Sequence, residues 1–125
     1  MILIADESKK DRESLAASLR CRGYEVAEAE DGEAALLRAR EEPPDLVLLG
    51  ATLPGRSGLE VCAALKGDER TRAVPVFLLT SITRTIGGTD ESWRRRTGAD
   101  AFLSKPYNPR ILYWMIDSLL EGAPK

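Results

Sequence analysis

Two stretches of this chain, Ile2-Leu3-Ile4-Ala5 and Leu46-Val47-Leu48-Leu49, carry no polar side chain at all, and Val74-Pro75-Val76-Phe77-Leu78-Leu79 is a third apolar run. A strand with one face in water alternates apolar and polar residues. A run that is apolar at every position has both faces covered, which is the pattern of a parallel sheet enclosed by helices. Pro75 stands near the start of its run, where a missing N–H is tolerated. Tyr24 to Ala27 and Ala101 to Leu103 read as two further strands, so the chain offers five.

Helical patterns fill the intervals. Ser8 caps a helix running to about Arg22, with Leu15 and Leu19 on its inner face, and Gly23 stops it. Asp31 opens a second through Ala35, Leu36 and Ala39, which Pro43-Pro44 ends. Ser57 caps a third carrying Leu59, Val61, Cys62 and Leu65. Thr80 to Thr89 reads as a polar loop ending in Gly87-Gly88, and Asp90 to Arg96 as a short fourth helix. Asn108 and Pro109 supply the cap and first position of a last helix reaching about Leu120. Five strand–helix units with short connections predict an α/β fold with right-handed crossovers. Such sheets place their sites at the carboxyl ends of the strands, near the point where strand order reverses. The residues there are Asp6 and Glu7, Gly50, Thr80, and Lys105.

Composition narrows the chemistry. A length of 125 residues suits one domain over 1–125, with 121–125 the start of a linker or a terminus. A net charge of -2 gives no basis for nucleic-acid binding, and Arg94-Arg95-Arg96 reads as a solvated helix face. The chain has no histidine, which removes imidazole metal sites and Ser/His or Cys/His catalytic pairs. Cys21 and Cys62 read as buried free thiols without zinc spacing. No apolar run approaches the ~20 residues of a membrane span, and the opening segment is too short for a signal peptide, so a cytoplasmic domain is expected.

The segment Pro44-Asp45-Leu46-Val47-Leu48-Leu49-Gly50, continued by Ala51-Thr52-Leu53-Pro54-Gly55-Arg56-Ser57-Gly58, resembles the central strand and loop of bacterial two-component receiver domains. The resemblance covers essentially the whole chain. It implies a flavodoxin-like (βα)5 fold with five parallel strands in the order 2-1-3-4-5 and helices on both faces. It also implies roles. Asp6 and Glu7 match the acidic pair that binds magnesium, and Thr52 the residue that adds a backbone carbonyl. Thr80 matches the hydroxyl residue and Lys105 the lysine that contact the phosphoryl group. Pro106 follows that lysine, and Phe102 matches the aromatic that moves on activation. Gly50 stands where the family has its phosphoacceptor aspartate, and glycine has no side chain with which to attack phosphorus.

The expectation is therefore a pseudo-receiver: a phosphorylation-independent protein-interaction module of bacterial signal transduction, without enzymatic activity. Two carboxylates and a carbonyl make a weaker metal site than three carboxylates would, so no bound cofactor is expected and any Mg2+ at Asp6, Glu7 and Thr52 is weakly held. Two alternatives stand beside this. Either Asp6, Glu7, Thr80 and Lys105 still respond to metal plus a phosphodonor or other anion, or Asp6, Glu7 and Lys105 persist only as a charge cluster that keeps the strand ends ordered. A flavin or nucleotide protein on the same fold lacks support, because Asp6-Glu7-Ser8-Lys9 is not a glycine-rich phosphate loop.

On the last helix, Leu112, Ile116, Leu119 and Leu120 have the spacing of a buried stripe. Ile111 and Met115 lie at one edge, Tyr113 at the other, and Trp114 points away. In the family, the face made by the fourth helix, the fifth strand and the last helix is the usual dimer and partner surface. The expected partner is thus a protein or a second copy, engaged through Ile111, Tyr113, Trp114 and Met115, with a lone surface tryptophan as the alternative.

Overall fold

The computed structural model describes residues 1–50, 53, 55–80, 98–104 and 108–120. Its strands are β1 (Ile2–Ala5), β2 (Val26–Ala29), β3 (Leu46–Gly50), β4 (Val76–Thr80) and β5 (Ala101–Ser104). Its helices are α1 (Lys9–Cys21), α2 (Gly32–Glu41), α3 (Gly58–Lys66) and α4 (Pro109–Leu120). The sheet is parallel, ordered β2-β1-β3-β4-β5. This is the flavodoxin-like order that the resemblance implied.

Successive strand residues point to opposite faces, and the burial follows that rule. Leu3, Ala5, Val47, Leu49, Val76 and Leu78 share one core with Leu36, Val61 and Leu65, on the side covered by α2 and α3. Ile2, Ile4, Leu46, Leu48, Phe77 and Leu79 share the other with Leu15, Leu19, Leu112 and Ile116, on the side of α1 and α4. Every residue of β1 and β3 is buried, which is why their sequences show no alternation.

Local chemistry sets the boundaries. Ser8, Asp31, Ser57 and Asn108 each accept a backbone N–H of a first turn, from Asp11, Ala34, Glu60 and Arg110. Gly23 adopts φ 96° after α1. Its N–H and that of Tyr24 bond back to the carbonyls of Arg20 and Leu19. That return explains the first departure from expectation: β2 begins at Val26, not Tyr24, because the helix stop consumes the Tyr24 amide. Pairing with β1 then opens with the Ile2 N–H donating to the Glu25 carbonyl. Likewise β4 begins at Val76, not Val74, since Val74 N–H closes a turn on Thr71 and Pro75 has no N–H to give. Thr80 closes β4 rather than opening a loop, and β3 and β5 each run one residue further, to Gly50 and Ser104.

Three side chains depart as well. Cys21 is exposed while Cys62 is buried, because position 21 lies two residues past Leu19 and so on the opposite face of α1. Leu119 is 39% exposed and falls off the stripe, of which Leu112 and Ile116 alone are fully buried. Leu120 is half-buried. The loop 81–89, the expected helix 90–96 with Trp93 and the arginine run, and residues 121–125 lie outside the described residues.

Two ties fix helices in place, one holding α3 to the sheet and the other holding α4 to the turn after α1. The Lys66 ammonium donates to Val74 O (2.8 Å) and to Asp100 Oδ2 (2.9 Å), and the same oxygen accepts Val76 N–H at 2.8 Å. Gly98, at φ 78°, lies directly against the Lys66 stem. On the other side of the molecule, Asp117 of α4 accepts the Tyr24 hydroxyl at 2.6 Å and pairs with Arg22. The Tyr24 bond, then Arg22, hold the Asp117 carboxyl below its ordinary 3.8, against partial desolvation.

Gly32 admits the closest helix–loop approach. A Cβ there would lie 2.6 Å from the Arg56 carbonyl oxygen and 3.0 Å from Val61. Gly32→Ala is expected to destabilise the fold by about 1–3 kcal/mol in urea titration, since backbone, not a flexible side chain, must yield. Asp117→Asn is expected to lower stability at neutral pH. A depressed folded-state pKa gives stability that is complete above the unfolded value of 3.8 and is lost as pH falls through the depressed one. The difference between parent and variant, followed by thermal melts from pH 7 to 2, should be constant down to about pH 4 and then shrink.

Candidate functional site

β1 is paired to β2 on one side and to β3 on the other, so the chain's direction of winding reverses between β1 and β3. The carboxyl ends of these two strands frame the crevice in which sheets of this kind bind ligands. Asp6 follows β1 and is 4% exposed; Glu7 beside it is exposed. One Asp6 carboxylate oxygen accepts the Ser8 N–H at 3.0 Å, folding the β1–α1 turn back on itself.

Gly50 ends β3 next to Asp6 and is buried. A Cβ built at this position would lie 3.4 Å from the Ala5 carbonyl oxygen, from Asp6 Cα and from Asp6 Cγ, ordinary van der Waals separation. Gly50 is absent from the glycines with positive φ among the described residues. Neither space nor backbone conformation therefore requires glycine here. A longer side chain at 50 would stand beside the Asp6 carboxyl.

Thr80 closes β4, with its backbone registered against Ser104 at the same end of the sheet. Thr52, Lys105 and Pro106 lie outside the described residues. Phe102 in β5 is half-buried and packs on the α2–α3 core. Among the described residues no group of three or more His, Cys, Asp or Glu could hold a metal ion. Asp6 and Glu7 are the carboxylates that follow β1, and position 50 adds no side chain beside them.

Arg12 is a site residue that the sequence reading passed over. It is 9% exposed, one of three buried polar or charged residues described, with Asp6 and Thr71. Its Nη1 donates to the Asp6 carbonyl oxygen at 2.9 Å and its Nε to Glu28 at 3.3 Å. The signal was present: position 12 stands three before Leu15 and seven before Leu19, on the inward stripe of α1, where an arginine needs a reason.

The outer face of α4 carries Ile111 and Trp114, 54% and 68% exposed. Met115 is half-buried, and with Trp114, Leu119, Phe77, Asp100 and Ala101 it lines a shallow groove between α4 and the start of β5. Tyr113 belongs elsewhere. It packs on the α1–α4 core, and the Arg22 guanidinium lies 5.1 Å from its ring centroid. The apolar surface is thus Ile111, Trp114, Met115 and Leu119, without Tyr113. No described helix is long and apolar enough to cross a membrane.

Comparison with known proteins agrees with this geometry. PilH of Pseudomonas aeruginosa is 36% identical over 121 residues, covering 97% of this chain and 98% of PilH. The response regulator PleD of Caulobacter vibrioides is 37% identical over 118 residues, but the chain spans only 25% of it. Among solved structures, the chemotaxis response regulator CheY4 of Vibrio cholerae superposes with a TM-score of 0.82 at 27% identity, covering 95% of this chain and 97% of that one. The receiver domain of a signal transduction histidine kinase from Syntrophus aciditrophicus gives 0.83 at 30% identity, covering 99% and 92%. With residues 2–117 matching the response regulator receiver domain as a family, the chain belongs to the receiver domains of two-component signalling.

Proposed function

We propose that this receiver acts as a phosphorylation-independent protein-interaction module in bacterial signal transduction, in the cytoplasm. The observation that carries the reading is Gly50. Phosphoryl transfer to a receiver needs a carboxylate oxygen to attack phosphorus and to keep the group as an acyl phosphate. At the end of β3 there is no side chain to do so, although the fold has room for one. Phosphorylation would add about -1.5 to -2 charges, which is the perturbation that biases such a domain between states. A chain without the acceptor has no such input, so its binding surface works in whichever state the fold itself favours.

The surface that suits this role is the exposed Ile111, Trp114 and Leu119 of α4 with half-buried Met115 between them. Large aromatics at the centre of an apolar patch are where interfaces concentrate their binding energy. The occupant is a signalling protein or a second copy of the chain. One observation favours a second reading: Asp6 stays buried and bracketed by hydrogen bonds, as in a pocket still ordered for ligand. In that reading the domain answers to metal plus a phosphodonor or other anion without its acceptor.

Acetyl phosphate with Mg2+ should leave no acyl phosphate on the natural chain by mass spectrometry, and should add one phosphoryl group to Gly50→Asp. Amide shifts in the natural chain on adding beryllofluoride and Mg2+, reaching Phe102 and α4, would instead support the second reading. Trp114→Ala should change folding stability by no more than about 0.5 kcal/mol, as for exposed positions. The same variant should weaken self-association or partner binding by at least about 2 kcal/mol in sedimentation or calorimetry.

A further inference from the structure

We infer that Arg12 is a positioning residue for Asp6: it fixes the backbone of the β1–α1 turn so that the Asp6 carboxylate faces position 50. This rests on the reading of that crevice as a receiver pocket lacking its acceptor. Three observations lead there. A guanidinium 9% exposed is costly to bury unless its donors are used, and Arg12 uses Nη1 on a single backbone oxygen, that of Asp6. The same residue has its carboxylate tied to Ser8 N–H. Asp6 is thus held at both ends by α1, through Ser8 at the cap and Arg12 one turn further in. The third observation is where the bracket aims: Asp6 Cγ sits 3.4 Å from where a Cβ on residue 50 would be.

Glu28 completes the device. It accepts Arg12 Nε at 3.3 Å and faces Arg20 at 3.5 Å, so the buried charge has a counter-ion on the edge strand β2. Arg20 is half exposed and touches Glu28 and the Val26 carbonyl, but not Asp6. The two arginines therefore separate a structural role from a positioning role. Both brace β2 against α1; Arg12 alone reaches the pocket.

The test uses the full chain, with Arg12→Met, which keeps the aliphatic bulk, beside Arg20→Met. Amide hydrogen exchange at Ser8 reports the Asp6 carboxylate without any metal. Arg12→Met should speed Ser8 exchange several-fold beyond the change at core amides, Arg20→Met should not, and Arg12→Lys should recover part of the protection. In a Gly50→Asp background, Mg2+ titration calorimetry should show affinity lowered about 10–100-fold by Arg12→Met, the cost expected when a partner of a ligand is removed. Arg20→Met should leave that affinity unchanged. Unaltered Ser8 protection in Arg12→Met, or equal effects from both arginines, overturns the inference. Failure of Gly50→Asp to bind Mg2+ would instead sink the reading of the pocket, while the Ser8 amide still decides the role of Arg12. Should Arg12→Met not fold, Arg12→Met/Glu28→Gln, which leaves no unpaired carboxylate, serves in its place.

Discussion

The parallel pairing of β1 with β3, both buried on every residue, is the constraint on which the rest depends. Two central strands that bury both faces must be covered twice, so helices are needed above and below. A parallel ladder cannot be closed by a tight turn, and among the described residues α1, α2 and α3 carry the crossovers from β1 to β2, β2 to β3 and β3 to β4. Those two demands produce the two cores on either side of the sheet. They also bring the ends of β1 and β3 together, with one chain leaving toward β2 and the other toward β4. The crevice beside Asp6 and Gly50 is a consequence of that topology.

Within the crevice, Asp6 is the residue held most closely by its neighbours. Ser8 and Arg12 hold Asp6, and Arg12 is itself held by Glu28. Position 50, however, gives no side chain to the same pocket. Asp6 is thus held by α1 beside a residue that has no side chain.

Electrostatics elsewhere serves the frame. Lys66 and Asp100 tie the end of α3 to β4 and to the turn before β5. Tyr24 and Arg22 tie α4 to the end of α1 through Asp117. Beside this second tie Tyr113 lies against Arg22, while Ile111 and Trp114 are exposed on the outer face of α4.

The described strands and helices and their order along the chain were legible in local residue pattern. Apolar runs without alternation required a covered parallel sheet; Ser8, Asp31, Ser57 and Asn108 marked the helix starts; and Gly50 stood out against its neighbours. These are properties of period, capping and side-chain identity, which act over a few residues. Tertiary structure decided what depends on partners far away in the chain. It moved β2 to Val26, because the Tyr24 amide is used by α1. It exposed Cys21 and Leu119, and turned Tyr113 from the patch toward Arg22. It gave Arg12 its role, since the hydrogen bond to Asp6 and the pairing with Glu28 join α1 to two strands. It also showed that Gly50 is not demanded by space, because only the neighbouring strand can say whether a side chain would fit.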